Sequence, residues 1–193
     1  MTIFEKIRTM VDNFYKAANI ADAKFLRNYQ EYGYRTDYSY AFAGSGWDDE
    51  SFNLPYPLEN VANANSAFYN SLIKSVTIDL DPECAGFVAT FFNCRNLEEV
   101  TIEGGCLTNL SNAFYICRKL HYLDIRAVIY ADINLQWSTN LTSQSLDSIA
   151  NALIDLKAID EAGTKTITLS KESLDLMSES GSLQMLDDKG WNY

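Results

Sequence analysis

Between residues 67 and 126 apolar and polar positions alternate in short bursts, each preceded by bulky aromatic residues. Leu97, Val100 and Ile102 are apolar, with Glu98, Glu99 and Thr101 between them; Leu120, Leu123 and Ile125 repeat the pattern, and Ile73, Val76 and Ile78 give it once more. Such alternation predicts a strand with one buried face. A strand of four or five residues buries too little surface to be stable alone, so the three must stack as parallel rungs around a shared apolar column.

The flanks carry a different period. Ile3, Ile7, Met10, Phe14, Ala17 and Ala21 are spaced alternately by four and three, and Thr2 with Glu5 forms a capping box. This predicts an amphipathic helix within residues 1–35, whose seam suits either self-association or docking on its own domain. Near the other end Thr142 can cap a helix with Leu146, Ile149, Leu153 and Leu156 on one stripe, broken by Gly163. Thr166 to Leu169 reads as a strand, and Ser170 caps a second helical stretch with Leu174 and Met177 inward.

The bursts are copies of one unit. Phe91 to Ile102 aligns with Phe114 to Ile125 at a spacing of 23 residues, and Phe68 to Ile78 fits with one deletion, so Phe68, Phe91 and Phe114 are evenly spaced. The shared pattern A-F-x-x-C-x-x-L-x-x-V-x-I resembles the BspA-like class of leucine-rich repeats, with Ser71 where that class usually has cysteine. The segments Asn28 to Gln30, Arg35 to Tyr38, Ala41 to Trp47, Leu141 to Leu146, Lys165 to Leu169 and Lys189 to Trp191 are similar to the ends of phage- and prophage-encoded proteins of that class in gut bacteria. The resemblance implies an α/β fold, a short leucine-rich repeat solenoid of about three 23-residue repeats. Around it the chain divides into an N-terminal helix (1–35), an aromatic N-cap (36–66), the repeats (67–137) and an α/β C-terminal cap (138–193). It also implies a virion-associated tail or host-recognition role.

Charge narrows the partners. The 193 residues include 26 acidic and 15 basic side chains, a net charge of −11, which repels a nucleic-acid backbone. Residues 1–35 are nevertheless positive, with six basic and four acidic side chains, so residues 36–193 hold nine basic against 22 acidic. No apolar run approaches the length of a membrane span, and the first residues lack the apolar stretch of a secretory signal. The expected location is the virion or the cytoplasm of the bacterial host.

Catalytic chemistry has few candidates. His121 is the sole histidine, placed by alternation on the outer face level with Glu98 and Lys74; a hydrolase would have to use it as a base, and a charge cluster across rungs is the ordinary reading. Cys84, Cys94, Cys106 and Cys117 show no metal-ligand spacing; Cys94 and Cys117 occupy equivalent positions and read as reduced, buried packing residues. Asp79, Asp81 and Glu83 could offer oxygens to a calcium ion, but their spacing matches no cation loop and a solvated turn suffices. Gly104-Gly105 reads as a tight turn between rungs, not a phosphate loop. No enzyme activity, cofactor or metal is expected.

Recognition has more. Three rows should face outward from the stacked strands: Lys74, Glu98 and His121; Ser75, Glu99 and Tyr122; Thr77, Thr101 and Asp124. Extended solenoid faces of this kind hold partners, here a protein or surface glycan of a bacterial host. Tyr34, Tyr38, Tyr40 and Trp47 could stack on sugars, although packing at the first rung explains them better. The rival reading is an intracellular interaction or inhibitor protein that binds a bacterial partner as a monomer.

Overall fold

A computed structural model describes residues 36–45, 53–54, 57–82, 86–159 and 163–193. The expected N-terminal helix, with Ile3, Ile7, Met10, Phe14, Ala17 and Ala21, lies outside the described residues, as do Tyr34, Trp47, Glu83 and Cys84.

The chain winds as a parallel β-solenoid of about three turns spaced by roughly 23 residues, followed by three helices. Strands β1 (Thr36–Asp37), β2 (Leu58–Asn63), β3 (Ser75–Leu80), β4 (Glu99–Glu103) and, after the short β5 (Cys106–Leu107), β6 (Tyr122–Ile125) form one sheet in the order β1-β2-β3-β4-β6, every pair parallel. β5 pairs with β7 (Val128–Ile129), and β8 (Ile133–Asn134) pairs with β9 (Ile167–Thr168). The alternation read from sequence is realised in register: Val76, Val100 and Leu123 face inward on successive strands, as do Ile78, Ile102 and Ile125. Ile73, Leu97 and Leu120 lie buried just before each strand.

Between strands the chain makes turns, not helices. Their amides alternate in purpose. Ser66, Phe68 and Asn70 donate along the solenoid axis to the carbonyls of Val88, Thr90 and Phe92 at 2.8–2.9 Å, while Ala67, Tyr69 and Ser71 donate back three residues to Ala64, Ser66 and Phe68. The next turn does the same, with Ala89, Phe91 and Asn93 reaching Ser111, Ala113 and Tyr115 at 2.7–2.9 Å. Every second peptide is thus flipped, which places one residue in four in the left-handed region: Ser66 and Asn70, Ala89 and Asn93, Asn112 and Ile116 all have φ between +51° and +61°.

The described parts of 36–66 follow this same course. Tyr40, Phe42 and Gly44 donate to Asn65, Ala67 and Tyr69, and Tyr40 and Gly44 hold the two positive-φ positions. The aromatic stretch therefore contains a further turn of the solenoid. Its core is a stack of rings: Tyr38 on Phe42 (6.0 Å between centroids), Phe42 on Phe68 (4.9 Å), Phe68 on Phe91 (5.3 Å) and Phe91 on Phe114 (5.6 Å).

Beside the rings runs a column of small polar residues, Ser45, Ser71, Cys94, Cys117 and Ser138, all buried. Ser45 and Ser71 share a hydroxyl hydrogen bond of 3.0 Å, Cys94 Sγ donates to the Phe68 carbonyl at 2.9 Å, Cys117 Sγ donates to the Phe91 carbonyl at 3.1 Å, and Ser138 Oγ donates to the Cys117 carbonyl at 3.2 Å. The position calls for a small donor, which explains why serine replaces cysteine at 71.

The last strand would leave its edge amides unpaired. Helix α1 (Ser143–Ala152), capped by the Thr142 hydroxyl on Ser145 N, lies against β6 and supplies what a further rung would. Ser145 Oγ accepts from Leu123 N at 2.9 Å and Ser148 Oγ accepts from Ile125 N at 3.0 Å. The stripe Leu146, Ile149, Leu153 and Leu156 is buried, but the helix ends at Ala152, because Leu153 turns extended to bridge Ile129; Gly163 lies beyond it. The second helical stretch is two helices, α2 (Lys171–Ser180) and α3 (Ser182–Lys189), divided where Gly181 adopts a left-handed conformation. The expected Ser170 cap and buried Met177 are present. Lys189 Nζ closes this end by donating to the carbonyls of Ala150, Asn151 and Leu153 at 2.6–2.8 Å.

Two predictions follow from the backbone. Replacing Ser145 with Ala leaves the Leu123 amide without its acceptor in a buried setting, and denaturant unfolding should show a loss of about 1–3 kcal/mol. Ile116 is a β-branched residue held at φ +61° where the preceding turns place Asn70 and Asn93; Ile116→Asn should stabilise the chain by about 1 kcal/mol, read as a higher urea midpoint with unchanged slope.

Candidate binding face

The outward positions of β3, β4 and β6 form rows because the strands are parallel and unshifted. Ser75, Glu99 and Tyr122 are register partners, as are Thr77, Thr101 and Asp124, so two of the three rows read from sequence exist as continuous lines across three rungs. The third row, Lys74, Glu98 and His121, sits one residue ahead of the strands, linked through its backbone: Glu98 N donates to the Lys74 carbonyl at 2.8 Å and His121 N to the Glu98 carbonyl at 3.1 Å.

The middle of this face is a depression of about 230 Å³ lined by Ser75, Thr77, Glu99, Thr101 and Tyr122, with Leu54 and Pro57 on one side. Ser75 is tied to Asn53, whose Oδ1 accepts from both its amide and its hydroxyl. The apolar wall of Leu54 and Pro57 carries no signal in the local sequence, since it comes from a segment with neither repeat nor periodicity. At the lower edge Arg126 bridges Glu103 at 2.6 Å and Asp124 at 2.9 Å, which holds its guanidinium protonated beyond its ordinary range. The face therefore offers hydroxyls, one phenol and carboxylates, a surface that hydrogen-bonds and attracts cations.

His121 is half exposed, with Nε2 3.9 Å from a Glu99 carboxylate oxygen and Nδ1 3.4 Å from its neighbour's carbonyl at Lys119. The cross-rung contact is thus with Glu99 of the neighbouring row, not with Glu98 and Lys74 as the alternation suggested; the ring is not joined to a hydroxyl or thiol among the described residues. Asp79 pairs in register with Glu103, and among the described residues no group of three or more His, Cys, Asp or Glu is arranged to hold a metal ion.

Of the aromatic candidates, Tyr38 is buried in the ring stack, whereas Tyr40 is 62% exposed. Sequence reasoning passed over a different set. The residue after each stacked phenylalanine forms a second column on the outside of the turns: Tyr69 on Phe92 (4.8 Å, planes 5° apart), Phe92 on Tyr115 (5.0 Å, 21°), then Trp137 edge-on to Tyr115 at 6.0 Å. The signal was present as the doublets Phe68-Tyr69, Phe91-Phe92 and Phe114-Tyr115, 23 residues apart. Along its flank Asn93 Nδ2 donates to Asn70 Oδ1 at 2.7 Å.

Comparison with protein-family models, with curated proteins and with solved structures found no match.

Cys94 and Cys117 are buried as packing residues. Burial pushes Cys94 well above its ordinary value and Cys117 up to about 12. Because the folded form holds these protons more tightly than the unfolded chain, their contribution to stability is complete below about pH 9 and is lost as pH rises toward 12. Thermal denaturation should thus show a steeper loss of stability between about pH 9 and 12 in the natural chain than in Cys94→Ser/Cys117→Ser. In the folded chain at pH 8, an alkylating reagent should leave both thiols unmodified by mass spectrometry.

Proposed function

We propose that this chain is a non-enzymatic recognition module, a short leucine-rich repeat solenoid of the BspA-like type closed by an α/β C-terminal cap, whose strand face binds a protein or a surface glycan of a bacterial host. In this reading it is a phage- or prophage-encoded, virion-associated protein acting in host recognition. The observation that carries the binding role is the lateral register of Ser75–Glu99–Tyr122 and Thr77–Thr101–Asp124 over one depression. Side chains on a parallel sheet are held by backbone bonds on both sides, so such a face is preorganised and loses little entropy on binding. The repeat pattern and the resemblance of the flanking segments support the host-recognition role.

The test uses fluorescently labelled full-length chain on whole gut bacteria and on their isolated cell walls. Saturable binding is expected, weakened more than tenfold in Thr77→Arg/Thr101→Arg, which fills the depression with two long cations while leaving the buried side of the strands untouched. Undiminished binding by that variant at unchanged melting temperature would discard the strand face as the site, and absence of saturable binding across the panel would discard host recognition.

A further inference from the structure

Two of the corners where a turn enters its strand carry cations in an otherwise acidic body. Arg95, Arg118 and Lys119 are exposed there, three of the nine basic residues that residues 36–193 possess. None of the three takes part in an ion pair among the described residues; their partners are neutral. Arg95 Nε donates to Asn93 Oδ1 at 2.9 Å, Lys119 Nζ donates to Asn96 Oδ1 at 2.9 Å, and the Arg118 guanidinium lies 5.2 Å from the centre of the Trp137 ring. These are held by amides and an indole, which fix their positions without cancelling their charge.

The outer aromatic column adjoins them through Trp137 and through the Asn70–Asn93 ladder. Its rings are stacked on one another, so their negative faces are covered and their C–H edges, the positive end of the ring quadrupole, point outward. Cations and ring edges both favour negative charge. The acidic remainder of the body acts weakly here, because exposed charges more than about 8–10 Å away are screened at physiological salt.

We propose that this stripe, Arg95, Arg118 and Lys119 beside Phe92, Tyr115 and Trp137, is a second binding surface that takes a linear anionic polysaccharide laid along the solenoid axis. The repeat distance selects the polymer. The rings of three successive rungs recur every 4.8–5.0 Å, close to the span of one sugar residue, and Arg95 and Arg118 hold equivalent positions one rung apart beside them. An extended acidic peptide instead brings same-face carboxylates about 6.8 Å apart and falls out of step within two rungs. This surface is distinct from the strand face, and its occupancy does not depend on it.

Isothermal titration of the full chain with polygalacturonate, neutral dextran and poly-L-glutamate, begun at about 0.1 M salt where the Debye length is about 10 Å, tests the assignment. Polygalacturonate should bind, weaken as salt is raised, and bind more than tenfold more weakly to Arg95→Gln/Arg118→Gln/Lys119→Gln, while Thr77→Arg/Thr101→Arg binds as the natural chain does. Arg95→Gln alone, whose side chain touches only Asn93, should give a partial loss and guards against misfolding of the triple variant. Dextran binding as tightly as polygalacturonate, tighter binding of poly-L-glutamate, unchanged affinity in a folded triple variant, or no binding of polygalacturonate would each overturn the proposal.

Discussion

The whole structure depends on the flipping of every second peptide in the turns between strands. An ordinary helix satisfies all its amides internally and can sit beside its neighbours at any height. Here half the amides of each turn point along the axis to the next turn, so the turns must stack at the spacing of a hydrogen-bonded sheet. That requirement sets the pitch for everything else. It brings the phenylalanines of successive turns to about 5 Å, puts the small column of serines and cysteines within reach of the preceding carbonyls, and holds the strand rows in unbroken register.

The same constraint has a cost, two residues per turn in the left-handed region. Asparagine and glycine accept it readily, whereas Tyr40, Ser66, Ala89 and Ile116 pay for it through their side chains. The aromatic stack offsets that cost, since each buried ring removes on the order of 150–250 Å² from water and gains a further stacking term. It also demands an end. A stack of hydrogen-bonded turns can stop only where something else meets the last edge, and Ser145 and Ser148 of α1 do so with hydroxyls placed where a further strand's carbonyls and amides would lie.

Pitch and charge together divide the surface. On the strand side, hydroxyls and carboxylates line a depression, and the one arginine is consumed by Glu103 and Asp124. On the turn side, Arg95 and Arg118 recur at the same repeat position and form no ion pair among the described residues. A single repeating backbone thus displays carboxylates and hydroxyls on one side and two equivalent arginines on another.

The repeat, its 23-residue period, the inward and outward sides of each strand and the capping of both helical segments by Thr142 and Ser170 were legible in the sequence. These are local properties: alternation, spacing and cap chemistry act within a few residues. The strand rows were equally legible, because aligning the apolar positions of each repeat fixes the register even where the spacing changes from 24 to 23 residues. Other features were decided only by tertiary structure. The left-handed turns, the extension of the solenoid to Tyr38 and Phe42, the end of α1 at Ala152 and the wall of Leu54 and Pro57 each depend on a partner more than twenty residues away. The second aromatic of each doublet repeats as faithfully as the first, but only the flip of the intervening peptide decides that one ring is buried in the core and the next lies on the surface.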